Sequence, residues 1–257
     1  MIDGEPDAGG TPVSPSARSA LEVKALSAWY GAAQILFDVS LTVGRGEVVA
    51  LMGRNGAGKS TTLKSIMGLV DRRRGDIRFL GQAIDTLPPH RIARLGLGYV
   101  PEERRIFTGL TLEENLDIGR HPPRTWPDGS SAPVWTPETL FRLFPNLARM
   151  PGRRGGAMSG GEQQMLSVAR TLMGNPLLLL LDEPSEGVAP LIVKEMAETV
   201  GALKAEGLSV LLSEQNLEFA RTVADRVILL EQGRVAYSGT MAAFADDAEA
   251  QARYLGV

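Results

Sequence analysis

The 257-residue chain has no cysteine, two histidines and only five lysines among its 27 basic residues. Without cysteine there is no disulfide, no thiolate nucleophile and no cysteine-ligated metal, and no secretory signal opens the chain, so a cytosolic compartment is expected. Long hydrophobic runs are missing too. Leu177 to Leu181 is closed off by Asp182 and Glu183, far short of the roughly 20 apolar residues that span a bilayer. Charge of one sign is lacking: 27 basic against 30 acidic residues leave a net charge of -3, which predicts no nucleic-acid partner. The two histidines, His90 and His121, read as solvated polar residues rather than ligands or bases. What is present is 44% apolar and 22% charged, a globular balance, and the length fits one large domain or one domain with an inserted lobe.

Residues 1–19 carry three prolines and almost nothing apolar, and are expected to form a disordered tail; residues 20–257 form the folded domain. From Leu21, short β-like segments broken at Gly31 and at Gly44-Arg45-Gly46 predict an antiparallel β element. Glu47 to Met52 then reads as a buried strand, followed by a glycine-rich loop and a helix from Lys59 to Met67, the order of a βα unit. The order recurs with a strand at Leu177–Leu181, a helix over 191–206 that Pro190 opens and Gly207 closes, and a strand at Leu208–Leu212. A hairpin about Gln232-Gly233 follows. Between these segments, about residues 88–174, lies a lobe of helical patches and proline-rich connections. Its stretch from His121 to Pro137 holds five prolines and two tryptophans in 17 residues, a surface loop in which Trp126 and Trp135 either bind something or pack the loop down.

Three segments carry chemistry. Gly53-Arg54-Asn55-Gly56-Ala57-Gly58-Lys59-Ser60 matches G-x-x-x-x-G-K-[ST] in full, a pattern that composition alone produces in roughly one chain of this size in a hundred. Glycines let backbone N–H groups wrap phosphates, the following helix aims its positive end at them, Lys59 reaches the β and γ oxygens, and Ser60 is placed to ligate Mg²⁺. Leu178-Leu179-Leu180-Leu181-Asp182-Glu183 has the form of a buried strand delivering a metal carboxylate, Asp182, followed by Glu183 as the base that polarises a water. Alone such a run is often a mere strand end; after a full phosphate loop it gains weight. Ser159-Gly160-Gly161-Glu162-Gln163 exposes backbone donors where an amphipathic helix begins, a second anion site. One nucleotide does not need two such sites in one chain.

With these three segments in this order, the chain resembles the ATP-binding cassette (ABC) ATPases from about Leu21 to Gly239. In that family an L-S-G-G-Q motif closes over the γ-phosphate of a nucleotide held by a second subunit; here Met158 stands for Leu and Glu162 for Gln. The resemblance implies an α/β P-loop core with a mainly parallel sheet, an N-terminal antiparallel β element and an inserted helical lobe. It also implies ATP and Mg²⁺ as ligands. The nucleotide would meet Gly53, Asn55, Gly56, Ala57, Gly58, Lys59, Ser60 and Thr61. Tyr30 would stack on adenine, and Ser159, Gly160 and Gly161 would act across a dimer, with Ser185-Glu186-Gly187 touching the partner. Two positions depart from the general pattern: Glu102 stands where most members carry Gln, and Gln215 where most carry a switch histidine. Gln215 then serves as a neutral γ-phosphate sensor or merely caps the segment starting at Asn216. Arg104 and Arg105 are expected at solvent or partner acids rather than phosphate.

Together with Pro101-Glu102-Glu103-Arg104-Arg105-Ile106-Phe107 and Leu110-Thr111-Leu112-Glu113-Glu114-Asn115-Leu116, both departures look like one ATPase subunit of bacterial branched-chain amino-acid importers. That resemblance implies a second cassette subunit (the same chain or a paralogue), transmembrane permease subunits, indirectly a solute-binding protein, and a peripheral place on the cytoplasmic face of the inner membrane. Rival readings are an importer ATPase for urea, amides or other amino acids, and a non-transport cassette. The long coiled coil of DNA clamps and the tandem cassettes of translation factors are both absent. A P-loop kinase has no use for the Ser-Gly-Gly segment.

Overall fold

The computed structural model describes residues 19–255. The tail expected over residues 1–18 lies outside the described residues, and Ser19, which the sequence reading put in that tail, opens the first strand. Strands β1 (Ser19–Tyr30) and β2 (Ala33–Gly44) pair antiparallel, and β3 (Val48–Met52) leads through the glycine-rich loop into α1 (Lys59–Ile66). β4 (Arg72–Phe79) and β5 (Gln82–Ala83) complete a four-stranded antiparallel sheet in the order β2-β1-β4-β5. β4 has no strand-like pattern in sequence because only Ile77 and Phe79 turn to the core, while Arg72 and Arg74 lie over the Trp29 ring on β1.

The chain continues through α2 (Pro89–Arg94), β6 (Leu97–Val100), α3 (Leu112–Gly119), α4 (Pro137–Leu143), α5 (Pro145–Ala148), α6 (Gly160–Leu172) and β7 (Leu178–Asp182). After these come α7 (Pro190–Ala205), β8 (Ser209–Glu214), α8 (Leu217–Val223), β9 (Arg226–Glu231), β10 (Arg234–Thr240), α9 (Met241–Ala245) and α10 (Ala248–Leu255). The second sheet runs β10-β9-β3-β8-β7-β6, with only the β9/β10 hairpin antiparallel. Its parallel strands read as unbroken apolar runs because both faces are covered. Val48, Ala50, Met52, Leu179 and Leu181 face α6, α7 and α8. Val49, Leu51, Leu178 and Leu180 face α1 and the antiparallel sheet.

β6 corrects the expected lobe boundary at residue 88: Leu97–Val100 is hydrogen-bonded to β7 as the edge of the parallel sheet, so the lobe leaves the core after Val100. Four residues are too short a run to stand out in sequence. The 121–137 loop packs down. Trp126 is buried on the antiparallel-sheet side and Trp135 on the helical side, so the loop wraps the edge of the sheet. Arg45 holds it through Asp128 at 2.8 Å, Ser130 at 2.9 Å and the Trp126 ring at 4.2 Å. Asn175 accepts from the Trp135 backbone N–H at 2.7 Å and donates to His121 O at 2.7 Å.

Candidate functional site

The loops after β3, β7 and β8 meet at the carboxyl ends of adjacent parallel strands, where open α/β sheets hold ligands. The β3 loop has to approach the sheet closely. Gly53 has φ 151°, and a Cβ there would stand 2.4 Å from Leu230 O, so no side chain fits. Gly58, at φ 106°, turns the chain into α1 and leaves the first-turn N–H groups facing outward. Lys59, 3% exposed, folds its ammonium back over the loop: Nζ donates to Gly53 O at 2.9 Å and Arg54 O at 3.3 Å, and lies 3.1 Å from Glu183 Oε1.

Asp182 ends β7, and Glu183 leaves the strand with φ 45°, a left-handed conformation that non-glycine residues adopt at a cost of order 1–3 kcal/mol. That turn carries the Glu183 carboxylate to Lys59. Gln215 Nε2 donates to Glu183 Oε2 at 2.9 Å and to Glu186 Oε2 at 3.3 Å. Burial works to raise the Glu183 carboxyl, but hydrogen bonds with Glu186 and Gln215 and the Lys59 charge outweigh it and hold the group below its ordinary value. Glu186 moves the other way, pushed up to about 7 by its hydrogen bond with Glu183, by burial and by the charges of Glu183 and Glu102. Glu102 is raised by burial and by Glu183 and Asp182. The two carboxyls of this turn are therefore shifted in opposite directions, Glu183 down and Glu186 up.

Tyr30, Asn55, Gly56, Gly58, Lys59, Ser60, Thr61, Glu102, Glu183 and Glu186 line one cleft of about 480 Å³, within the range of small-molecule sites. Gly53, Ala57, Asp182 and Gln215 stand behind that lining. The alternative that Gln215 caps the next helix is corrected: Asn216 Oδ1 accepts from Phe219 N–H as the α8 cap, leaving the Gln215 amide for the carboxylates.

Ser159, Gly160 and Gly161 are not among the cleft's lining residues. They begin α6 in a capping box, in which Ser159 Oγ accepts from Glu162 N–H at 3.3 Å and Glu162 Oε2 accepts from Ser159 N–H at 2.6 Å. Gly160 lies against the Arg104 guanidinium and Gly161 against Ile192 of α7, each so close that an added Cβ would be 2.7 Å away. Arg104 is thus packed at this second anion-site candidate. Its neighbour Arg105 is exposed beside Glu103 at 3.7 Å. His90 and His121 are exposed.

The donor set fits a magnesium ion. Asp182 is completely buried, accepts hydroxyls from Ser213 at 2.6 Å and Tyr99 at 3.0 Å, and among the described residues pairs with no cation within 4.0 Å. The carboxylate therefore has no cationic partner among the described residues, and Ser60, on the first turn of α1 in the cleft lining, carries a hydroxyl of the hard-oxygen type that would suit the same ion. Sequence reasoning missed Tyr99, Ser213 and the upward shift of the Glu186 carboxyl. Tyr99 becomes visible only when β6 is known to lie beside β7, which the sequence does not state. Burial and the Asp182 charge push the Tyr99 hydroxyl upward, so it remains a donor.

The sequence model of a family described as ABC transporter matches residues 36–186. A high-affinity branched-chain amino acid transport ATP-binding protein of Pseudomonas aeruginosa, BraG, is 44% identical over 231 residues, covering 90% of this chain and 97% of that one. A lipopolysaccharide export system ATP-binding protein of Haemophilus influenzae, LptB, is 35% identical over 246 residues, with 93% and 98% covered. A solved ATP-binding subunit of an ABC transporter superposes with a TM-score of 0.72 at 35% identity, covering 86% of this chain and 90% of the other.

Proposed function

Since the chain belongs to the ABC transporter family and is an ATP-hydrolysing subunit of it, we propose that it drives import of branched-chain amino acids through separate membrane-spanning subunits. Supporting that cargo is the 44% identity to a relative named for branched-chain amino acid transport, against 35% to one named for lipopolysaccharide export. Solute-binding protein, permease and cytoplasmic membrane face follow from that reading. Among the described residues no helix is long and apolar enough to cross a membrane, which agrees with a separate permease.

In the proposed chemistry, Tyr30 stacks on adenine and the backbone from Gly53 to Gly58 wraps the phosphates, with Asn55, Ala57 and Thr61 at their flanks. Lys59 holds the β and γ oxygens. Ser60 and Asp182 hold Mg²⁺, which neutralises charge on the phosphates when bound. Glu183 takes the proton of the attacking water as its oxygen bonds to the γ-phosphorus and the bond to the ADP oxygen breaks. The observation that supports this reading most directly is the 3.1 Å separation of Glu183 Oε1 from Lys59 Nζ, a carboxylate and an ammonium side by side over the glycine-rich loop. Gln215 offers a neutral donor at the same carboxylate, Glu102 lines the nucleotide cleft, and the Ser159-Gly160-Gly161 segment closes over nucleotide on a second cassette.

Glu183→Gln keeps the shape and removes the basic oxygen. ATP binding is expected to persist while turnover falls by roughly 10²- to 10⁴-fold. Equilibrium ATP binding and single-turnover hydrolysis test this, and a parental rate would overturn the base assignment.

A further inference from the structure

We propose that Tyr99 is a positioning residue for the metal carboxylate, its hydroxyl holding one oxygen of Asp182 so that the remaining lone pairs face the cleft. The inference rests on the reading of Asp182 as a Mg²⁺ ligand. Tyr99 pairs in register with Leu180, two residues before Asp182 on the neighbouring strand. Strand side chains of equal parity share a face, so Tyr99, Leu180 and Asp182 all point to the same side of the sheet. Two residues of rise amount to about 6.6 Å, which the length of a tyrosine side chain spans by leaning along the strand. The hydroxyl accordingly reaches Asp182 Oδ2 at 3.0 Å. Phenylalanine would lean the same way and make no bond.

The other carboxylate oxygen is held by Ser213 Oγ at 2.6 Å, and the same hydroxyl accepts the Glu183 backbone N–H at 3.1 Å. Asp182 is therefore fixed from both sides, by one hydroxyl on β6 and one on β8. Each carboxylate oxygen accepts two hydrogen bonds or ligands, so one position remains on each for a cation. Packing holds the ring in turn: it is packed against the core cluster that includes Leu97 and Leu180, and it lines a groove together with Phe107 and Arg170. A donor so held selects one carboxylate orientation, and losing such an outer partner commonly costs 10- to 100-fold in metal affinity.

The test uses Mn²⁺ as the probe, titrated into full-length protein saturated with a non-hydrolysable ATP analogue and read by the electron paramagnetic resonance of free Mn²⁺. Tyr99→Phe is expected to weaken Mn²⁺ binding about 10-fold while analogue affinity measured in EDTA stays within twofold. Asp182→Asn in parallel separates the two readings. If Asp182→Asn leaves Mn²⁺ affinity unchanged, the metal assignment fails and the inference with it. If Asp182→Asn weakens binding and folded Tyr99→Phe does not, only the Tyr99 role is overturned. Should Tyr99→Phe fail to fold, the parent chain labelled with 3-fluorotyrosine replaces it, with the Tyr99 resonance assigned by removing the other three tyrosines in turn. Mg²⁺ added at saturating analogue is expected to shift that resonance; an unmoved resonance overturns the role.

Discussion

Glu183 and Glu186 sit three residues apart in one turn, yet their environments separate them. Lys59 and Gln215 favour the ionised form of Glu183, while the Glu183 charge itself favours the neutral form of Glu186. This division has a consequence for stability. A carboxyl that titrates near 7 when folded and near its ordinary value when unfolded binds a proton on folding between those two pH values. Its contribution is therefore complete below the ordinary carboxylate value and lost as pH rises through about 7. Glu186→Gln removes that titration. Thermal unfolding between pH 5 and 8 is expected to show the parent losing stability with rising pH relative to Glu186→Gln, and parallel curves would contradict the raised Glu186 carboxyl. At this scale the sequence was informative about identities and silent about environment: Lys59, Asp182 and Glu183 were legible from spacing, but the upward shift of Glu186 depends on a backbone turn at Glu183, φ 45°, that no local pattern announces.

Elements are legible to the extent that their burial is regular. β3 and β7 are buried on both faces and read as apolar runs, and α6 shows an unbroken amphipathic stripe behind its capping box. β4 and β6 fail that criterion, the first because arginines stack on Trp29, the second because four residues make no pattern. The 121–137 loop illustrates a third case, in which composition gave its surface course and two tryptophans but not where they insert. Arg124 of the loop lies against Gly96 and donates to Arg94 O at 2.7 Å and Asn175 O at 3.0 Å, just before the amino ends of β6 and β7. The loop therefore lies at the end of the sheet opposite the phosphate loop. Trp126, 3% exposed, should accordingly act on stability and not on nucleotide. Trp126→Ala is expected to cost about 3–5 kcal/mol in urea unfolding. ATP affinity of the folded fraction should stay at the parental value, and a selective loss of affinity would show that the loop communicates with the site.

The whole molecule presents two candidate anion sites, the cleft around Lys59 and the amino end of α6 at Ser159, which is not among the cleft's lining residues. In the proposed reading, a phosphate group seated at Lys59 in one chain meets the Ser159 segment of a second cassette, and a pair of such subunits would convert hydrolysis into opening and closing beneath a permease. The family assignment extends over most of the chain, so the architecture was readable from motif order, whereas the motifs legible in the sequence all concern a nucleotide and none concerns a cargo. The natural absence of cysteine makes the shared site directly measurable. An Asn55→Cys chain and a Ser159→Cys chain, both carrying Glu183→Gln to retain ATP, are mixed and oxidised with and without MgATP. The account predicts a disulfide joining residue 55 of one chain to residue 159 of the other, formed with MgATP and scarce without it. A mixture that yields only monomers, or products linking residue 55 to 55 or 159 to 159 regardless of nucleotide, would contradict it.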